Sequence, residues 1–437
     1  MVAIYGTLVH TPVKGKVDIL LNTLIITDEH TGIITQLQSN LPRTEIPTFL
    51  KEQHLPEDTN IRYLSPFQFI LPGFIDTHIH APQYPFTGTC TDLPLTEWLN
   101  KYTFPCEKRY QDTDWAKSIY QVLVRRLLRN GTTTAVYFAS IHLEATKILA
   151  DTTLTMGQRA LVGLVSMDRN APDDYIDTTE TAIHKAETFI QYCKERDSRQ
   201  ILTPVVTPRF IPTCTIPLLE GLGQLAKKYN VPVQSHISES LDEVAFVRHL
   251  HPDVESDTTL FDACGLLTER SIMAHGVHLS DKDVQVMVER GSGVAVCPLS
   301  NAYFANGVFP VKRHPSNLKM GLGTDVAGGY SPSMLNSMRQ AVISSSFWQD
   351  EQRQVDWKTA LYMATIGGAE LIGLSHIIGS FMISKQLDAL VIDLKTDNSP
   401  LDLLWDEPIE LLVEKFINLG DDRCIIDVLV GGNYVTP

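Results

Sequence analysis

Cysteine is scarce in this chain of 437 residues, which holds seven cysteines, and no two of them stand in a Cys-x-x-Cys pair. A small, odd number of cysteines argues against a disulfide framework. A reducing compartment is the simpler interpretation, because disulfides persist in oxidising ones. We therefore expect a cytoplasmic protein.

Positive charge is also in short supply, with 36 lysines and arginines against 51 aspartates and glutamates and a net charge of −15. This balance argues against nucleic-acid or anionic-membrane partners and favours a small neutral or cationic ligand. No apolar run reaches the ~18 residues that a membrane-spanning helix needs. The first residues also lack the basic start and apolar core of a secretory signal.

What the sequence does contain is enough apolar material for a large core, with 43% hydrophobic and 20% charged residues. From residue 67 to 376, eight strand-like runs alternate with helical stretches. The runs are Phe67–Ile75, Thr132–Phe138, Ala160–Met167, Ile201–Thr207, Val231–His236, Ser271–His275, Gly293–Cys297 and Lys319–Thr324. This count predicts an α/β fold, a closed (β/α)8 barrel of the TIM type. A doubly wound open sheet is the competitor, but no G-x-G-x-x-G or Walker loop opens these helices.

The two ends of the chain have a different texture. Residues 1–66 and 377–437 are rich in short β-branched runs punctuated by turns, which is typical of small antiparallel sheets. Because chain ends often lie close together, we expect these segments to form one composite β-sandwich domain beside the barrel.

The first predicted barrel strand runs into Asp76-Thr77-His78-Ile79-His80. Alternate residues of a strand share a face, so His78 and His80 lie about 6.6–7 Å apart on the same side. Two neutral imidazoles at this spacing can reach one cation, although two half-buried histidines on a strand face would give the same pattern.

Further polar side chains follow other predicted strands, where the functional groups of such barrels lie. They are Arg209, His236, Glu239, His275 and Asp325. Imidazoles and an aspartate without thiolate suit zinc or iron(II), and zinc is the commoner catalytic metal. A two-metal site would need a bridging ligand such as a carbamylated lysine, and residues 201–209 hold no lysine. We predict a single metal ion.

A catalytic metal needs a group that moves protons, and Glu239 is the candidate general acid–base. Asp325 could both coordinate the metal and accept a hydrogen bond from bound water. The competing interpretation of Glu239 is an acidic residue in the cap region of the next helix.

These residues and their neighbours resemble the amidohydrolase superfamily, in its mononuclear zinc deaminase branch. The resemblance covers nearly the whole chain. Its motifs are Pro72–His80, Asp92–Leu99, Lys101–Pro105, Thr207–Phe210, Ser235–Glu239, Ala274–Gly276, Cys297–Asn301 and Gly323–Asp325. Within that branch, the likeness is greatest to members acting on guanine.

The resemblance implies hydrolytic deamination of guanine to xanthine and ammonia, in purine salvage or catabolism. It implies one zinc ion per subunit, with the ligands His78, His80, His236 and Asp325. Glu239, Asp325 and His275 would be catalytic, with Glu239 moving the proton. Substrate contacts would come from Gln83, Arg209, Phe210, His236, Glu239 and Asp325. Arg209 would read O6 and Phe210 would pack on the purine face. A cytosolic homodimer is the implied assembly.

Other functions stay open at this point. Gln83 could be an ordinary polar residue of a loop, and Phe210 could be an ordinary residue of the core. The same metal chemistry would serve another purine, a triazine or a cyclic amidine. A metal-free scaffold on an inherited barrel is a further alternative, although every expected position is filled. The unrelated zinc deaminase fold is excluded, because it requires P-C-x-x-C.

Overall fold

The computed structural model describes residues 1–197, 199–312, 314–347 and 355–435, and these residues form a mixed α/β fold. The strands are β1 Ala3–Val13, β2 Lys16–Thr27, β3 Ile34–Gln38, β4 Arg62–Tyr63, β5 Gln68–Pro72, β6 Phe74–His80, β7 Thr132–Phe138, β8 Arg159–Gly163, β9 Val165–Ser166, β10 Leu202–Pro204, β11 Thr207–Pro208, β12 Val233–Ile237, β13 Ser271–His275, β14 Gly293–Val296, β15 Lys319–Leu322, β16 Ala389–Asp393, β17 Ile425–Val430 and β18 Asn433–Val435.

Helices α2 to α11 lie between successive central strands, and the others lie outside that run. The helices are α1 Ile46–Glu52, α2 Leu95–Trp98, α3 Phe104–Lys108, α4 Thr113–Arg129, α5 Leu143–Met156, α6 Thr179–Arg196, α7 Ile216–Tyr229, α8 Leu241–Leu250, α9 Asp257–Ala263, α10 Asp281–Arg290, α11 Pro298–Ser300, α12 Met334–Ser345, α13 Trp357–Ala364, α14 Ile366–Leu371 and α15 Ile409–Leu419.

Local sequence explains where several of these helices begin and end. The side chains of Asp112, Thr178 and Thr215 accept hydrogen bonds from the first-turn amides of α4, α6 and α7. Gly157 and Gly291 end α5 and α10 in the left-handed conformation, which glycine adopts without steric cost. Each helix is thereby confined between two strands.

The central strands are parallel and follow one another in chain order. β6, β7, β8 and β10 form one sheet, β9 pairs with β11, and β12 to β15 form another. A bridge from Val206 to Val233 connects the two halves. The prediction of alternating strands and helices in an α/β fold is confirmed. Among the described residues, the hydrogen-bonded ladders do not run continuously round to a closed barrel.

Strand β6 nevertheless bonds to the segment that follows β15. The amide of His80 donates to the carbonyl of Val326 at 3.0 Å, and the amide of Asp325 donates to the carbonyl of His78 at 2.9 Å. The first and last central strands therefore meet at the residues of the candidate site.

The terminal strands form a single sheet in the order β18-β17-β16-β5-β1-β2-β3, with β4 beside β1. The described residues thus place these strands in one continuous hydrogen-bonded sheet, because β5 pairs with β1 on one side and with β16 on the other. The expectation of a small β-sandwich stays a prediction. The assignment of residues to two domains stays a prediction.

The predicted strand Phe67–Ile75 is also corrected, because it divides at Gly73 into β5 and β6. The amide of Gly73 donates to the carbonyl of Asp388, whereas the next amide, of Phe74, donates to the carbonyl of Gly131. The backbone therefore changes partners within one residue, from the terminal sheet to the central strands. No pattern of apolar residues reveals such a change.

We expect Gly73→Ala to lower the free energy of unfolding by about 1–3 kcal/mol, because a new methyl group must displace its neighbours. An added Cβ would lie 2.1 Å from Oγ1 and 2.3 Å from Cγ2 of Thr133. Chemical denaturation measures the change. Adding Thr133→Ala removes both atoms and should restore part of the loss. An unchanged unfolding midpoint for Gly73→Ala would contradict this account of the junction.

No helix in the described ranges has both the length and the apolar character required to cross a membrane. All seven cysteines are free thiols.

Candidate active site

The two histidines of the H-x-H motif lie at the end of β6 and are almost completely buried. Their strand is buried along its whole length, and His236 reaches them from β12. One ring nitrogen from each of His78, His80 and His236 lies within 4.8 Å of the others. The three imidazoles therefore form a cluster, as the spacing of His78 and His80 in the sequence had suggested.

Hydrogen bonding determines which nitrogen of His236 faces the centre. Its Nδ1 lies 2.7 Å from the carbonyl oxygen of Arg209, so Nδ1 carries the proton and donates it. The lone pair of Nε2 then points inward, 3.0 Å from Nε2 of His80. Nε2 of His78 is buried without a hydrogen-bond partner among the described residues. Inward-facing imidazole nitrogens of this kind suit a metal cation.

Asp325 adds a carboxylate to this cluster. Its Oδ1 lies 3.2 Å from Nε2 of His78 and 3.5 Å from Nε2 of His80. Its Oδ2 faces Nε2 of His275 at 3.8 Å. Asp325 and His275 both have left-handed backbones, with φ of 49° and 72°. Such conformations are uncommon for non-glycine residues and recur at functional sites, where they orient a side chain.

Glu239 lies across from His275, with Oε2 3.6 Å from its Nε2. It comes two residues after β12 and is not the cap of α8, because Ser240 caps that helix. The amide of Glu239 donates to Oε2 of Glu243 at 2.8 Å. This bond anchors the backbone of Glu239 and leaves its side chain at the cavity.

Burial controls the protonation of these groups. It lowers the pKa of His78, His80 and His236 well below the usual value, so the imidazoles are neutral and can act as ligands. Burial, with Asp325 adding a smaller effect, raises the pKa of Glu239 to about 8. Burial also raises the pKa of Asp325.

These groups border one cavity. The sequence-predicted residues that line it are His80, Gln83, Arg209, Phe210, His236, Glu239, His275 and Asp325. His78 lies behind this wall and is 1% exposed. Leu95, Trp98, Leu99 and Phe304 supply an apolar side. The cavity therefore combines a candidate metal cluster with a surface suited to a flat ring.

Glu107 is the residue that the sequence analysis missed. It is fully buried in α3, and its carboxylate accepts two hydrogen bonds from Arg209, at 2.7 and 3.2 Å. It also accepts one from Nε2 of Gln83 and one from the hydroxyl of Tyr175, both at 2.9 Å. A sequence signal did exist, because Thr103, Phe104 and Glu107 share one helical face and a charge on an apolar face needs a partner.

Two further polar residues orient the site. Oδ1 of Asn301 lies 2.9 Å from Nδ1 of His275, which directs Nε2 of that ring towards the cavity. The carboxylate of Asp76 accepts hydrogen bonds from the amide and hydroxyl of Thr324 and from the amide of His78. Asp76 thus ties the H-x-H strand to the segment carrying Asp325.

Comparison with known proteins agrees with this geometry. The sequence profile of the amidohydrolase family matches residues 69–435. A guanine deaminase of Dictyostelium discoideum is 40% identical, with 98% of this chain and 97% of that protein covered. A guanine deaminase of Homo sapiens is 41% identical, over 99% and 96% of the two chains. The crystal structure of a guanine deaminase from C. acetobutylicum with guanine in its active site superimposes with a TM-score of 0.90, at 32% identity and 100% coverage of both chains.

Proposed function

The chain belongs to the amidohydrolase family, and from that premise we propose that it is a hydrolase that deaminates guanine to xanthine and ammonia. The observation that carries this function is the cavity in which Glu239 and the histidine cluster face Arg209 and Gln83. One group of residues suits hydrolysis and the other suits a polar heterocycle. The guanine-bound relative has the same fold over its full length.

The proposed cofactor is one zinc ion per chain, held by His78, His80, His236 and Asp325. Neutral, inward-facing imidazole nitrogens and a buried carboxylate oxygen fit zinc, which favours nitrogen and oxygen ligands in catalytic sites. When bound, zinc is a Lewis acid that makes hydroxide available near neutral pH for attack on C2 of the base.

The protein's own groups then handle the protons. Glu239 is proposed to take a proton from the attacking water and deliver it to the purine ring nitrogen. Asp325 assists the proton that leaves with ammonia. His275 is proposed to hydrogen-bond the reacting centre through Nε2, which lies between the carboxylates of Glu239 and Asp325. Burial keeps bulk water away from these transfers.

Recognition of the base is assigned to Gln83, Arg209 and Phe210. Two of the five N–H groups of Arg209 bind Glu107, and three remain for other acceptors. Arg209 is proposed to donate to O6 of guanine. Phe210, which borders the cavity, is proposed to pack against the purine face. His236, Glu239 and Asp325 complete the proposed contacts with the substrate.

We expect Arg209→Ala to lower kcat/KM for guanine by about 100-fold or more, because charged hydrogen bonds are lost and Glu107 is left buried without its partner. Steady-state assays of ammonia release measure the change. Lys185→Ala is the matched control, because it removes a cation paired with Asp177 outside the cavity. An unchanged kcat/KM for Arg209→Ala would exclude this residue from recognition.

An ammonia assay with guanine, adenine and a melamine-type triazine tests the substrate itself. We expect release from guanine. Release from another compound but not from guanine would favour the alternative of a related amidohydrolase. No release from any of them in the zinc-loaded protein would favour the scaffold.

Three further assignments belong to this proposal. The eight central strand units are proposed to close as a (β/α)8 barrel of residues 67–376, beside a composite domain of residues 1–66 and 377–437. The meeting of β6 with the segment after β15 supports closure. Cytoplasmic location and a homodimer follow from the family resemblance. Sedimentation showing a monomer at micromolar concentration would contradict the dimer.

A further inference from the structure

Glu107 connects the two polar side chains that are assigned to reading the base. Its two carboxylate oxygens accept four hydrogen bonds, from Arg209 twice, from Gln83 and from Tyr175. Glu107 is 0% exposed, and it lies in helix α3, whereas Gln83 and Arg209 follow strands. It is not among the residues that line the cavity, so it acts through its partners.

The contacts of Gln83 leave one orientation for its amide. A carboxylate only accepts hydrogen bonds, so the nitrogen of the Gln83 amide must face Glu107. Its oxygen accepts from the amide of Ala327 at 3.3 Å, and a backbone N–H only donates. Both ends of the Gln83 side chain are thereby fixed. Its second N–H, a donor, remains for a ligand, beside the second lone pair of an oxygen that already bonds the backbone.

Arg209 can present only donors to a ligand, because a guanidinium has no acceptor. The paired bonds to Glu107 fix the plane of the guanidinium, because a fork of two N–H groups matches two carboxylate oxygens. Glu107 therefore makes this end of the cavity a set of oriented donors. Such a surface complements an acceptor and opposes an amino group.

We propose that Glu107 is a positioning residue that selects purines with a carbonyl at C6 over purines with an amino group there. The inference rests on the proposed function, since it takes guanine as the substrate. A 6-amino group would place donors against donors and leave buried N–H groups unpaired on both sides. A site built to hydrogen-bond one group rejects analogues that cannot complete those bonds.

The substitution Glu107→Gln keeps the size of the side chain but no longer offers acceptors at both of its terminal atoms. One of its two terminal atoms becomes a donor, so Arg209 loses one of its two acceptors in either orientation of the new amide, and Gln83 also loses its acceptor when the nitrogen replaces Oε1. Gln83 can then turn its amide oxygen into the cavity and accept from a 6-amino group. The preference between the two purines, and not only the overall rate, should therefore change.

The experiment measures kcat/KM of the full-length, zinc-loaded protein for guanine and for 2,6-diaminopurine by ammonia release. For Glu107→Gln we expect the ratio of the two values to fall by about 10-fold or more. Glu107→Asp, which keeps the acceptors, should retain more of the ratio than Glu107→Gln. Asp388→Asn is the matched control, because Asp388 forms a similarly buried two-bond pair with Arg159 of β8, and neither residue lines the cavity. Its ratio should stay at the wild-type value even if its stability falls.

A second variant covers the case in which Glu107→Gln does not fold. Tyr175→Phe removes one hydrogen bond to Glu107 and leaves Arg209 and Gln83 intact, so its ratio should shift in the same direction by a smaller factor. An unchanged ratio in folded Glu107→Gln, or in Tyr175→Phe where Glu107→Gln does not fold, would overturn the inference. Wild-type protein that releases no ammonia from guanine would instead defeat the proposed function, which is a separate outcome.

Discussion

Glu239→Gln should lower kcat for guanine by about 10²–10⁴-fold, the typical contribution of general acid–base catalysis, and leave zinc bound. The amide is close to the carboxyl group in size and cannot take up a proton at neutral pH. Glu239 belongs to neither group of candidate metal ligands, so its substitution should not remove the zinc. Metal content and kinetics measured on the same preparation test both halves of the expectation.

Glu243→Gln is the matched control for that variant. Glu243 is a buried acid four residues further on, it bonds the amide of Glu239, and it does not line the cavity. We expect a smaller effect on kcat, because the side chain of Glu239 is retained. A Glu239→Gln variant with nearly full kcat, or one that loses its zinc, would contradict the assigned role.

Removal of the metal should abolish activity, and added zinc should restore it. His80 is one of the proposed ligands, so His80→Ala should also bind less zinc than wild type. Elemental analysis of the purified protein should give one zinc per chain. Activity that persists in fully chelated protein would contradict a catalytic metal.

Cys297 provides the control for the number of metal ions. His78, His275, Cys297 and Asp325 form a second group of candidate ligands within 4.8 Å of one another. Burial raises the pKa of the Cys297 thiol, which opposes the thiolate that a metal requires. We expect Cys297→Ser to keep one zinc per chain. Two ions in wild type, falling to one in Cys297→Ser, would contradict the single-metal assignment.

The sequence predicted those site residues whose positions are set by the strand on which they lie. His78 and His80 could be assigned to one face because alternate residues of a strand point the same way. Asp325 and His275 could be placed near them because parallel strands end at the same edge. Long helices and strands were also predictable, because the spacing of their apolar residues shows which face of each element is buried.

Other features could not be deduced, because they depend on long-range partners. Glu107 pairs with Arg209, which lies 102 residues away, and no local pattern specifies that meeting. The division of the predicted strand at Gly73 depends on whether the next backbone partner is Asp388 or Gly131. The single terminal sheet likewise depends on β5, whose residues look like any apolar strand.

The position of β5 has a consequence for how the protein is made. This strand directly precedes the H-x-H strand, yet one of its two neighbours, β16, comes more than 300 residues later. While the ribosome is still producing the central strands, β5 has an unpaired edge next to the strand of the proposed metal ligands. Pairing of this edge must therefore wait for the last part of synthesis, and early collapse of the emerging chain would have to leave the edge open.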